Sequence, residues 1–130
     1  MSVMRNILVV LLIVTLPLMY GCKEKLVRYA DSGSTVHLKV GQILKIELPG
    51  NASTGNDWRK AAYDDQVIAK KGRPNYMLAD DRIGSAGVYY FKYRAIAPGV
   101  TKLYMEYGSK YDDEKDPVKT FELEVIVVGG

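Results

Sequence analysis

The chain has 130 residues, 48% of them apolar, which is the size and content of a single domain with its own core. Its formal charge is +3, and Lys and Arg are interspersed with Asp and Glu without a sustained basic run or basic helix, so it lacks the footprint of a nucleic-acid-binding protein. The single cysteine excludes an intramolecular disulfide, and one histidine beside one cysteine is too few for a zinc constellation.

The first 20 residues have the character of a targeting segment. Arg5 supplies a short positive region and Ile7 to Leu18 a nearly unbroken apolar core; Gly21 then precedes Cys22. This resembles a bacterial lipoprotein signal, which implies a signal peptide over 1–21 and a lipid on Cys22, with a tether over 22–34. The domain itself then covers 35–130. The alternative is an uncleaved anchor helix, opposed by Pro17 and by a run shorter than the ~20 residues needed to span a bilayer. Loss of Arg5 with the signal lowers the formal charge to +2. The 109 residues from Cys22 onward are enough for a two-layer core without staples.

Beyond the polar stretch Lys23 to Ser34, the chain reads as strands. Val36, Leu38 and Val40 alternate with His37 and Lys39, and after the Gly41-Gln42 turn Leu44, Ile46 and Leu48 alternate with Lys45 and Glu47. An abrupt polar loop, Pro49 to Asn56, separates this strand from another over Asp57 to Ala62 that carries Trp58, the only tryptophan, inward. Val67 and Ile68 form a short strand, and residues 70–87 are irregular. Val88 to Ala95, Thr101 to Tyr107 and Phe121 to Val127 alternate again, joined by the Pro98-Gly99 turn and by a long charged loop over 108–119. No segment after Cys22 has sustained helical periodicity. About seven short strands between turn signals predict an all-β, immunoglobulin-like sandwich.

Three glycine-bearing loops stand out, at 49–56, 84–87 and 108–117. The first reads Asn51-Ala52-Ser53-Thr54-Gly55, with Trp58 three places after the glycine. The second reads Gly84-Ser85-Ala86-Gly87, and in the third Gly108-Ser109-Lys110-Tyr111 follows Tyr107. In order and spacing these loops resemble those of the chagasin-type inhibitors of cysteine peptidases. There the first reads Asn-Pro-Thr-Thr-Gly with a following Trp, the second Gly-x-Gly-Gly, and the third carries Arg-Pro-Trp. Here Ala52 replaces Pro, Asn56 an aromatic and Ala86 a glycine, and Lys110 or Tyr111 stands in for the third motif. The resemblance implies reversible, non-covalent blockade of a papain-family peptidase. Asn51, Ala52, Ser53, Thr54 and Gly55 would enter the cleft, Ser53 and Thr54 hydrogen-bonding around its Cys–His pair. Gly84, Ser85, Ala86, Gly87, Lys110 and Tyr111 would grip its walls.

A different class of function stays open: an envelope adhesion or assembly module on the same fold, with no peptidase partner. Enzymatic chemistry has little to work with. His37 sits on a strand face, and no serine lies in a nucleophile motif. Asp64-Asp65, Asp80-Asp81 and Asp112-Asp113-Glu114 lack the alternating spacing of a calcium loop. The sequence thus predicts a monomeric non-enzyme without cofactor or metal. It would be held at the membrane of a bacterial envelope, facing periplasm or exterior, with a papain-family cysteine peptidase as partner.

Overall fold

The chain forms nine strands in the computed structural model, which describes residues 23–78 and 85–129. They are β1 (Lys25–Arg28), β2 (Thr35–Lys39), β3 (Ile43–Gly50), β4 (Asn56–Ala62), β5 (Ile68–Lys70), β6 (Asn75–Leu78), β7 (Gly87–Ala95), β8 (Gly99–Ser109) and β9 (Lys119–Val128). One sheet has the order β1-β3-β7-β5, with β6 also pairing β7. The other has the order β2-β9-β8-β4. β1 runs parallel to β3 and β2 parallel to β9, while the remaining pairs are antiparallel. Two sheets packed face to face make the immunoglobulin-like sandwich that the alternation predicts.

The core is the set of inward residues that the pattern marks. Leu44, Ile46 and Leu48 of β3 and Phe91 and Tyr93 of β7 face Leu103 and Met105 of β8 and Phe121, Leu123 and Val125 of β9, all buried. Burying each such side chain contributes ~1.5–3 kcal/mol, so a domain of this size stands without a disulfide. Trp58 lies in the same core. Its ring packs 5.2 Å from that of Tyr107, and its indole N–H donates to the Pro49 carbonyl at 3.0 Å.

Three expectations change. Residues 23–34 are not simply a tether: Lys25–Arg28 extends the first sheet and Tyr29–Asp31 forms a 3-10 turn leading to the second. The irregular stretch 70–87 contains β6. Val40 lies beyond the end of β2 and is exposed, because Gly41, at φ +92°, has already begun the turn. β1 and β6 were hidden for one reason. Each has four residues; β1 buries only Val27 and β6 buries none, so backbone pairing to β3 and β7 holds them without leaving a side-chain pattern. The expected signal segment 1–21, Cys22, Gly84 and the Asp80-Asp81 pair lie outside the described residues.

Candidate functional site

Strand register decides where the three loops emerge. Gly50, the last residue of β3, is opposite Gly87, the first of β7, and Leu78 at the end of β6 is opposite the same Gly87. In the other sheet Asn56, opening β4, is opposite Ser109, closing β8. Since residues 51–55 connect β3 to β4, all these strand ends share one pole of the sandwich. The turns at 40–42, 63–67 and 96–98 occupy the other pole.

The first loop is wired from within. Residues Ala52–Thr54 make one 3-10 turn, capped by Asn51, whose Oδ1 accepts from the Ser53 N–H at 3.1 Å and the Ser53 hydroxyl at 2.6 Å. The Thr54 hydroxyl donates to the Asn51 carbonyl at 2.7 Å, and the Thr54 N–H reaches the same oxygen at 3.2 Å. Gly55 closes the turn at φ +80°, a left-handed conformation costly for any residue with a Cβ. Both hydroxyl protons are therefore spent on the loop's own shape, and the outward capacity of Ser53 and Thr54 is as acceptors.

Elements beneath the loop hold it in place. The Tyr107 hydroxyl accepts from the Asn51 N–H at 2.8 Å, and the Tyr76 hydroxyl accepts from the Ala52 N–H at 3.4 Å. Tyr89 lies below Gly50, where a Cβ would come within 2.5 Å of its ring. Burial above all, with the nearby Asp57 carboxylate, pushes the Tyr89 hydroxyl up to about 12, so it stays neutral at ordinary pH. Ala52, Ser53 and Thr54 remain exposed, forming a tip of small side chains on a fixed backbone.

The third loop joins the first directly. The Lys110 N–H donates to the Gly55 carbonyl at 3.1 Å, and the Tyr111 ring lies 3.2 Å from where a Gly55 Cβ would be. Tyr111 is 82% exposed, with the Lys110 ammonium 5.6 Å from its ring centre. Of the second loop, Ser85 is half-buried and Ala86 exposed at the base. Gly87 is buried in β7, where a Cβ would collide with the Tyr76 ring and the Met77 carbonyl, so it shapes the edge from below. Beside it Met77 and Leu78 of β6 stand more than half exposed.

The residue that sequence reasoning missed is Arg59. A bulge between Trp58 and Lys60 breaks the β4–β8 register at this position. Its guanidinium donates to the carbonyls of Ser109 at 3.1 Å and Asp112 at 2.9 Å, and also to that of Lys115. The side chain is 5% exposed, and Gly108 makes room for it: a Cβ there would lie 2.9 Å from the guanidinium carbon. One cation thus clasps three carbonyls at the start and along the length of the third loop. Beside an inward Trp58, Arg59 reads locally as a solvent-facing strand residue. Among the described residues no group of three His, Cys, Asp or Glu is placed to hold a metal ion.

Comparison with solved structures returns the same fold. The crystal structure of the cysteine protease inhibitor EhICP2 from Entamoeba histolytica matches with a TM-score of 0.72 at 17% identity, covering 81% of this chain and 96% of that one. The solution structure of Amebosin matches with a TM-score of 0.62 at 22% identity, over 83% of this chain and 100% of that one. PbICP-C, solved in complex with falcipain-2, matches with a TM-score of 0.55 at 18% identity, over 82% and 91% respectively. No curated protein sequence matches the chain. The model of the family described as Chagasin family peptidase inhibitor I42 matches residues 37–125, more than half of the chain and all of β3 to β8. The chain belongs to the chagasin family, whose members inhibit peptidases and are not enzymes.

Proposed function

We propose that this protein is a reversible, non-covalent inhibitor of papain-family cysteine peptidases, and that it plugs the catalytic cleft with the pole formed by its loops. The single observation that carries the reading is the first loop: a tip of Ala52, Ser53 and Thr54 whose backbone is fixed by Asn51, Tyr107 and Tyr76 before any partner arrives. Such a loop loses little conformational entropy on docking, and its lack of bulk lets two backbones approach closely. The structural likeness to a chain solved with falcipain-2 points to the same class of partner.

The wiring also explains how a peptide can lie in a peptidase cleft uncut. Attack on a carbonyl requires its oxygen to enter the oxyanion hole. The Asn51 oxygen already accepts from the Thr54 N–H and hydroxyl and, at 3.4 Å, from the Tyr107 hydroxyl. Tyr111 and Lys110 on one flank, with Ser85 and Ala86 on the other, would meet the cleft walls, a rigid aromatic ring providing most of the area. We further propose that the chain is held in a bacterial envelope by a lipid on Cys22, with the sequence before it acting as signal.

Titration of papain and cathepsin L with the protein tests the inhibitor reading. Stoichiometric loss of activity that returns on dilution is expected. Full peptidase activity at micromolar protein would overturn it and leave an adhesion or assembly module. Mass spectrometry of the membrane fraction tests the anchor: a Cys22 thiol without diacylglycerol rules it out.

A further inference from the structure

The outer face of the first sheet collects cations that are dispersed in the sequence. Lys92 and Arg94 of β7, Lys45 of β3, Lys71 just after β5 and Arg73 before β6 all belong to it. Lys45 and Lys92 are opposite one another in the ladder, and the Lys71 N–H donates to the Lys92 carbonyl at 2.8 Å. Lys45, Arg73 and Lys92 line a cleft of about 220 Å³ with Asn75, Met77 and Tyr90. The Lys45 ammonium lies 4.6 Å from the centre of the Tyr90 ring, with the Glu24 carboxylate close enough to feel its charge. Among the described residues two carboxylates interrupt the face: Glu47, paired with Arg28 at 2.9 Å, and Glu24, paired with Lys92 at 3.1 Å. The hydrogen bond from Lys92, with the charges of Lys92, Lys45 and Lys71, holds the Glu24 carboxyl below its usual range. In the second sheet carboxylates stand against the lysines: Lys102 is opposite Glu124 in the ladder and pairs with Glu122 at 3.5 Å, and Lys60 pairs with Glu106 at 3.9 Å.

We propose that this cationic face of the first sheet rests on an anionic lipid surface, its cleft taking a phospholipid headgroup phosphate between Lys45, Arg73 and Lys92. Charge complementarity is one argument, since Arg and Lys hold phosphate through charge-assisted hydrogen bonds. The other is where the chain outside the structure ends. The apolar run Ile7 to Leu18 and Cys22 lead directly to Lys23, and only Lys23 and Glu24 separate Cys22 from β1, the strand beside β3. Two extended residues reach about 7 Å. That is no more than the Debye length of about 8 Å at physiological ionic strength, so a segment held in lipid brings the face into the unscreened field of the headgroups. Leu26, exposed on the same face, would enter the headgroup layer. β1 runs parallel to β3, so the chain enters at the pole opposite the first loop. The loops therefore stay free while the face is docked. This inference rests on the membrane reading of residues 1–22 and is independent of peptidase inhibition.

Lysine footprinting of the full chain tests it, using vesicles of phosphatidylcholine alone and vesicles with one third phosphatidylglycerol. On the anionic vesicles Lys45, Lys71 and Lys92 are expected to react with an acylating reagent at least ~fivefold more slowly than on neutral ones, as one headgroup contact per cation implies. Lys60 and Lys102 are expected to be unaffected, and 0.5 M salt should remove the protection. The variant K92E/R94E should lose it too, while inhibiting papain as the parent does. Equal labelling on both vesicles, or equal protection on both sheets, overturns the proposal. So does weaker papain inhibition by K92E/R94E with vesicle protection retained, which assigns the face to a protein partner. A chain that floats with anionic vesicles only has the face without the anchor. One that floats with neither overturns both.

Discussion

Thr54 is the residue on which the inhibitor reading can be tested most directly. Its side chain is exposed at the tip, so a long cation there blocks entry into a cleft without touching the core. Thr54→Arg is expected to raise the inhibition constant against papain at least ~100-fold, about 3 kcal/mol of binding. It should cost only ~1 kcal/mol of stability, the worth of the hydroxyl bond to Asn51. A variant that instead unfolds would make the loop a structural element. Gly50 tests the support below the tip. Its added Cβ in Gly50→Ala would meet the buried Tyr89 ring, and overpacking of this kind costs ~1–3 kcal/mol. The urea midpoint should fall accordingly.

Among the elements, the third loop depends most on a distant residue. Residues 110–118 have few apolar anchors of their own, and Arg59 of the neighbouring strand donates to two of their carbonyls, Asp112 and Lys115, and to that of Ser109 just before them. Its Nε is buried without a partner, a cost that the three carbonyl contacts must offset. Arg59→Met keeps much of the volume and removes the donors. It should accelerate amide exchange across 110–118 and destabilise the domain by ~1–3 kcal/mol, because the freed carbonyls on an exposed loop can rehydrate. The effect on papain should appear as faster dissociation, since Tyr111 and Lys110 would no longer be fixed against Gly55. Unchanged exchange in the loop would show that the clasp is dispensable.

For the whole molecule, the core's tyrosines set a limit at high pH. Burial pushes the hydroxyls of Tyr89 and Tyr93 up to about 12, above the unfolded value of 10, so folding favours their protonated forms. That contribution is complete below pH 10 and is lost as pH rises from 10 through 12. The thermal midpoint should be flat between pH 8 and 9.5 and then fall, with a late ionising class of tyrosines in the ultraviolet titration near pH 12. An early fall would mean that these rings are wetter than their packing implies. Alternation alone determined the sandwich and its inward face, because a strand's side chains obey a period of two whatever the strand pairs with. It also marked Asn51 to Gly55 as a loop, since Asn and Gly carry turn chemistry locally. Only the tertiary structure decided that three loops share one pole, that Arg59 turns from a strand into the third loop, and that cations far apart in sequence form one face. Each of these depends on which strands are neighbours, and backbone hydrogen bonding between strands leaves no mark on the side chains of either.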